Sequence, residues 1–264
     1  MRYIFDDLEK IQQDLKGKYL FLFLDCDGTL AAIADTPDQA IISQRTKKLL
    51  SLLSQKKNCR IAVVSGRSLD DIKKKVGLKN IIYSGNHGFQ IDGPKIKHEL
   101  VVPGGYKEVL RRIRVELKKK LSDVRGVLVE DKKLSLALHF RLAALKQLPL
   151  IRSVFSRSTA PYLKNNKIRI KPGKKVLEVG PPLAWNKGKI VLWLLARQAA
   201  LSKKQRIIPV YIGDDVTDED AFKALKNNGL TIFVGAGNNS QAKYYLKDVQ
   251  DVYNFLKYIL NLEG

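Results

Sequence analysis

The chain has 264 residues, 45% of them apolar, enough to bury the core of one large domain or of two smaller ones. Its two cysteines exclude a disulfide framework and a cysteine-based zinc site. The net charge is +22, and no stretch has the length of a membrane-crossing helix or the pattern of a secretory signal, so a cytosolic protein with no membrane partner is the expectation.

Residues 3 to 15 place Ile4, Leu8, Ile11 and Leu15 at helical spacing, which predicts an amphipathic helix. The next stretch runs Tyr19-Leu20-Phe21-Leu22-Phe23-Leu24-Asp25-Cys26-Asp27-Gly28-Thr29. An unalternated apolar run suits a strand covered on both faces, as in a parallel sheet between helices. Ligands of such sheets bind at the carboxyl ends of strands, where Asp25 and Asp27 fall. If the backbone stays extended, both acids point the same way. Like charges about 4 Å apart repel by about 4 kcal/mol at an effective dielectric of 20, so a cation or a proton-handling role is the natural explanation. The plainer reading is an Asp-Gly surface turn, which accounts for Gly28 but not for two acids after a buried strand.

Asp35 to Asp38 reads as a loop, and Ser43 as the cap of a helix that includes Leu49, Leu50, Leu52 and Leu53. A second apolar run, Arg60 to Val64, ends in Ser65-Gly66-Arg67, and Ser68 and Asp70 open another helix. This βαβ rhythm predicts a right-handed parallel crossover. Ser65 and Gly66 sit where free backbone N–H groups and a hydroxyl can hold a phosphate, although Ser-Gly is also a frequent turn pair. A third strand, Ile81 to Ser84, leads into Gly85-Asn86-His87-Gly88, where His87 is either a substrate contact or a structural histidine.

From Gly104 the rhythm changes. A basic helix from Tyr106 to Lys120 precedes Val127–Glu130 and the alternating run Leu134 to Phe140, which together predict a hairpin turning near Asp131-Lys132. A helix through Leu145 to Phe155 and short strands at Lys167–Ile170 and Lys175–Val179 complete an α+β insert, closed by Pro181-Pro182. Residues 103 to 182 hold 20 Lys and Arg against 6 Asp and Glu. That excess suits a solvated face or the attraction of a small anionic substrate. With no nucleic-acid motif and little aromatic interleaving, nucleic acid is not expected as a partner.

The first rhythm resumes at Asn186-Lys187-Gly188, with a helix to about Leu201. Lys187 in a first helical turn opposes the helix dipole, and such rule-breaking positions are often functional. Ile207 to Ile212 then repeats the opening pattern, an apolar strand ending in Gly213-Asp214-Asp215. Thr217 with Asp220 reads as a capping box, which accounts for Asp218 to Asp220 but not for Asp214 and Asp215. A strand at Leu230–Val234, a Gly235-Ala236-Gly237 turn and two helical segments up to Leu262 end the layer.

Four strand ends therefore present Asp25 with Asp27, Ser65, Lys187, and Asp214 with Asp215, all on one expected edge. Carboxylate oxygens suit Mg²⁺, and a hydroxyl and a lysine suit a phosphate, a set that describes phosphoryl transfer. Asp25-Cys26-Asp27-Gly28-Thr29 resembles the D-x-D-G-T motif of the haloacid dehalogenase (HAD) superfamily of phosphohydrolases. Ser65, Lys187 and Gly213-Asp214-Asp215 are similar to its later motifs, in order. Within it, Gly213 to Asp220, Val129 to Lys132, Leu136 to Arg141, Lys175 to Val179 and Asn186 to Gly188 resemble blocks of the trehalose-6-phosphate phosphatase family.

The resemblance implies an α/β fold: a Rossmann-like HAD core from residues 1–103 and 183–264, with an α+β cap at 104–182 that sets substrate specificity. It implies Mg²⁺-dependent hydrolysis of a small sugar phosphate, trehalose 6-phosphate, as a step of trehalose biosynthesis. Asp25 would be the nucleophile, Asp27 the proton carrier, and Ser65 and Lys187 the phosphoryl clamps. The metal would be held by Asp25, the Asp27 carbonyl and Asp214, supported by Asp215 or Asp218. Thr29, Gly66, Arg67, His87, Glu130, Lys132, Arg141, Lys174 and Glu178 are the expected substrate contacts. Gly180 departs from the arginine that often precedes proline in the family, which leaves open a phosphatase for another sugar phosphate, such as sucrose-phosphate or glucosylglycerol-phosphate; the basic insert leaves open a non-catalytic protein that binds through it.

Overall fold

The computed structural model describes residues 1–201, 206–236 and 239–262, so Gly237 of the expected turn lies outside the described residues. The chain divides into two compact units, Met1–Glu99 with Trp185–Gly264, and Leu100–Ala184. The first unit opens with β1 (Arg2–Tyr3), a short 3-10 segment and α1 (Leu8–Leu15), so the helix expected from residue 3 is regular only from Leu8. It continues through β2 (Tyr19–Leu24), α2 (Gln44–Gln55), β3 (Cys59–Val64), α3 (Leu69–Val76), β4 (Ile82–Gly85), β5 (Gln90–Gly93) and β6 (Ile96–Glu99). The second unit holds α4 (Tyr106–Lys120), β7 (Leu128–Asp131), β8 (Leu136–His139), α5 (Leu148–Lys164), β9 (Arg169–Gly173) and β10 (Val176–Gly180). The chain then returns to the first unit with α6 (Lys187–Leu201), β11 (Ile207–Gly213), α7 (Glu219–Leu225), β12 (Leu230–Val234), β13 (Tyr244–Leu246) and α8 (Val249–Asn261).

Strand order in the first sheet is β1-β13-β12-β11-β2-β3-β4-β5-β6, parallel from β1 to β4 and antiparallel at β5 and β6. The period of two divides β2 between two cores. Leu20, Leu22 and Leu24 pack on one face with residues of α1, α2, α3 and α8, and Phe21 and Phe23 on the other with residues of α6 and α7. Burial on both faces is why the run carries no polar alternation. Ser43 and Ser68 cap α2 and α3 by accepting the Thr46 and Asp71 N–H groups. Both cysteines are buried thiols, and burial pushes Cys59 up to about 12, far from a reactive thiolate.

The second unit is a four-stranded antiparallel sheet, β7-β8-β10-β9, packed with α4 and α5. Leu136, Leu138 and Phe140 face its core, as the alternation requires. The hairpin turns through Lys132 to Ser135, with Lys133 at φ +69°, rather than at Asp131-Lys132 alone. The helix expected to Phe155 runs on to Lys164, past Pro161. One expectation for the tail is corrected: Tyr244–Leu246 is an edge-side strand and not helix, leaving α8 as a single final helix. The short pair β5–β6 carries no sequence period long enough to read. No helix among the described residues is long and apolar enough to cross a membrane.

Candidate active site

β11, β2 and β3 are adjacent and parallel, so their carboxyl ends lie side by side. Asp214, Asp25 and Ser65 follow these three strands directly, and Lys187 is the first residue of α6. After Leu24 the backbone leaves the strand: the Cys26 carbonyl accepts the Leu30 and Ala31 N–H groups at 2.9 Å, and Gly28 N–H donates to the Ala31 carbonyl at 2.7 Å. Gly28, at φ +84°, lies so close to Asp214 that a Cβ there would sit 2.2 Å from its carboxyl carbon. Only glycine permits both the turn and that approach.

Lys187 Nζ donates to Asp25 Oδ1 at 2.8 Å and to Asp218 Oδ1 at 2.7 Å. Asp218 is fully buried; its Oδ1 also accepts the Tyr211 hydroxyl at 2.6 Å and its Oδ2 the Asp215 N–H at 2.9 Å. The second oxygen of Asp25 takes no hydrogen bond among the described residues. Asp25, Asp214 and Asp218 each offer a carboxylate oxygen, all within 4.8 Å of one another. Burial pushes the Asp25 carboxyl well above its ordinary range, with Asp218 and Asp214 adding to the shift and Lys187 opposing it. Burial works against the Lys187 charge, but Asp218 and Asp25 outweigh it and hold the ammonium well above its usual value. Three crowded acids with one lysine leave excess negative charge on hard oxygen donors, which fits a divalent cation.

Asp27 belongs to a different ion pair. Arg67 grips both of its oxygens, Nε at 2.7 Å and Nη2 at 2.6 Å, while Nη1 donates to Asp71 at 2.6 Å and Nη2 to the Pro37 carbonyl at 2.9 Å. The repulsion expected between Asp25 and Asp27 is thus met by two cations, Lys187 and Arg67, one for each acid. The Asp27 side chain is not among the grouped metal-ligand carboxylates. Arg67, an expected substrate contact, joins Asp27 to α3. The spacing of Arg67 and Asp71, four apart at a helix start, is the sequence signal for that partner.

Ser65 is buried, and its hydroxyl accepts the Arg67 N–H at 3.1 Å. His87 stands next to Gly66: a Cβ on Gly66 would meet the imidazole at 2.6 Å. Asn86 and His87 both adopt positive φ, 51° and 52°, and such consecutive left-handed non-glycine residues mark a constrained turn. Thr29 is fully buried, and its hydroxyl has no hydrogen-bond partner among the described residues. The capping box is also corrected: Asp215 and Asp218 form it around a 3-10 turn, in place of Thr217 and Asp220. Asp218 therefore caps, binds Lys187 and joins the acidic group at once. Tyr211 was missed because an aromatic residue in a buried strand is fully explained by packing.

In the second unit, Glu130 and Glu178 pair across β8 with the same residue, Ala137, so both lie on the sheet face opposite its apolar core. Lys132 Nζ donates to Glu178, with side chains only 7% and 13% exposed. His139 Nε2 donates to Glu130 at 2.8 Å, a partner the sequence reading lacked. Arg141 Nη2 donates to the Lys174 carbonyl at 3.1 Å on exposed ground.

Among solved structures, a haloacid dehalogenase-like hydrolase from Bacteroides thetaiotaomicron superposes at TM-score 0.64 with 17% identity, covering 92% of this chain and 100% of that one. The fold is that of the HAD-like hydrolases. Residues 23–250 match the family model for trehalose-phosphatase. Trehalose-phosphate phosphatase B of Arabidopsis thaliana is 33% identical over 261 residues, which cover 94% of this chain and 68% of that protein. The C-terminal domain of C. albicans trehalose-6-phosphate phosphatase superposes at TM-score 0.79 with 25% identity, covering 99% and 98% of the two chains. This chain belongs to the trehalose-phosphatase family. It covers only 53% of the trehalose-phosphate phosphatase of Mycobacterium ulcerans, to which it is 34% identical over 214 residues.

Proposed function

We propose that the protein is a Mg²⁺-dependent phosphatase that hydrolyses trehalose 6-phosphate to trehalose and phosphate. The observation that carries this reading is the buried group of Asp25, Lys187, Asp218 and Asp214 at the carboxyl edge of the sheet. Asp25 would attack phosphorus through the oxygen that Lys187 does not hold, giving an aspartyl-phosphate and dividing one hard displacement into two easier ones. Asp27 would protonate the leaving sugar oxygen and then take a proton from the attacking water. Arg67 holds both Asp27 oxygens and so fixes where that carboxyl sits. Lys187 and Ser65 would steady the transferring oxygens.

Asp25 and Asp214, with Asp218 in support, would hold Mg²⁺, whose charge would offset the negative charge gathering on nucleophile and phosphate. Glu130, Lys132 and Glu178 would bind glucosyl hydroxyls, with Arg141 and Lys174 as further contacts. Their partly buried hydrogen-bonding groups would reject ligands that leave them unpaired. A cytosolic location goes with this reading. The test is phosphate release from trehalose 6-phosphate, glucose 6-phosphate and sucrose 6-phosphate, each with Mg²⁺ and with EDTA. Rapid release from trehalose 6-phosphate alone, abolished by EDTA, is expected. A tenfold preference for another sugar phosphate would move the substrate, and release indifferent to EDTA would remove the metal.

A further inference from the structure

The amino edge of the nine-stranded sheet holds a cavity of about 620 Å³ that the proposed reaction does not use. Its walls come from segments entering four adjacent parallel strands: Lys18 before β2, Arg206 before β11, Asn227 and Asn228 before β12, and Lys243 before β13. Lys10 of α1 also lines it, and Asp14 is its one acid among the described residues. Lys10, Lys18 and Arg206 have no side-chain hydrogen bond or ion pair among the described residues, and Lys243 Nζ donates to the Gly229 carbonyl at 3.0 Å.

Cations at such an edge usually answer the open carbonyls of helix ends. Here the backbone itself closes several of those carbonyls. The Gln12 carbonyl accepts from Lys16, Leu15 from Lys18, and Leu225 from both Asn228 and Gly229. The side chains of Lys10, Lys18 and Arg206 are not engaged by those carbonyls. On the surface of α4, by contrast, Arg111 and Arg112 pair with Glu108 on the same helix.

We propose that this cavity binds a phosphorylated small molecule through its dianionic phosphate. Ammonium groups supply point charge, a guanidinium offers a two-pronged grip on phosphate oxygens, and two carboxamides can bond hydroxyls of the attached group. The volume falls within the range of about 300–1,000 Å³ usual for small-ligand sites. β11 spans from Ile207 in the cavity wall to Gly213 beside Asp214, and at about 3.3 Å per residue the two ends are roughly 20 Å apart. A ligand there touches none of the reacting groups, so the site is one of binding or control and not of turnover.

Pyrophosphate is the probe, titrated calorimetrically into the full chain and into a Lys10→Gln, Lys18→Gln, Arg206→Gln variant at matched ionic strength set with chloride. One binding event is expected to weaken at least tenfold in the variant, while phosphate release measured without pyrophosphate is unchanged. Lys10→Glu alone, at an exposed position, serves if the triple variant does not fold, and is expected to weaken the same event severalfold. Equal affinity in wild type and variant, or no event above the chloride background, overturns the proposal.

Discussion

The carboxyl edge of the first unit and the outer face of α4 in the second use charge in opposite ways. α4 carries seven Lys and Arg in fifteen residues, and its Arg111, Arg112 and Glu108 side chains are 44% to 64% exposed. At the sheet edge one lysine, 3% exposed, stands between Asp25 and the fully buried Asp218. Water and salt screen the first arrangement, so pairs there add little, whereas each buried charge depends on its partner. The number of charges is therefore a poor guide to where charge matters. The second unit supplies most of the net charge, and a handful of residues in the first carries the proposed chemistry.

Substitutions should widen that contrast, beginning with the proposed nucleophile. Asp25→Asn is expected to lower turnover by at least about 10⁴-fold while the circular dichroism spectrum stays that of a folded protein. Retained turnover would remove Asp25 from the role. Lys187→Met leaves two buried carboxylates without their cation, and a loss of about 3–5 kcal/mol in denaturant unfolding is expected beside the loss of activity. A stability change below about 1 kcal/mol would show that water already screens this edge. Arg67→Lys keeps the charge but not the two-pronged grip on Asp27, so turnover should fall by roughly 10- to 100-fold with a much smaller change in KM.

At the other end of the scale, Arg111→Ala is expected to leave Tm unchanged within error. Hydrogen bonds from Arg111 and then Arg112 draw Glu108 down to about 2. Because that lies below its ordinary value, whatever the pair adds is present at neutral pH and fades as pH falls toward about 2. A pH-dependent Tm difference between wild type and Glu108→Ala above pH 5 would contradict this.

Strand ends were the legible part of the sequence. An apolar run that stops at an acid reports both a doubly covered strand and a break in its packing, so Asp25, Ser65 and Asp214 could be placed before any geometry was known. Partners were not legible, because hydrogen bonding depends on turns that no period encodes. The expectation that Asp25 and Asp27 point together assumed an extended backbone, and the turn around Cys26 removes that assumption. Asp218 was half-read for a related reason. A carboxylate next to a helix start is explained by capping, and nothing local reveals that it also answers a lysine 31 positions away. The strands at β5, β6 and β13 have three or four residues, too few for a period of two to stand out.

The order of strands also has a consequence for how the protein is made. The insert's helices and strands all lie within residues 100–184, so its core can close as soon as that stretch has left the ribosome. The nine-stranded sheet has no such freedom. Leu22 pairs with Val210 at its centre, so β2 must wait for most of the chain before its neighbour exists, and pairings of such long range are slow to form. During that wait the most apolar strand of the molecule has one edge without a partner. Synthesis is the interval in which this chain is most open to aggregation, and a chaperone that shields residues 19–24 until β11 emerges would do more for its yield than any stabilising change to the insert.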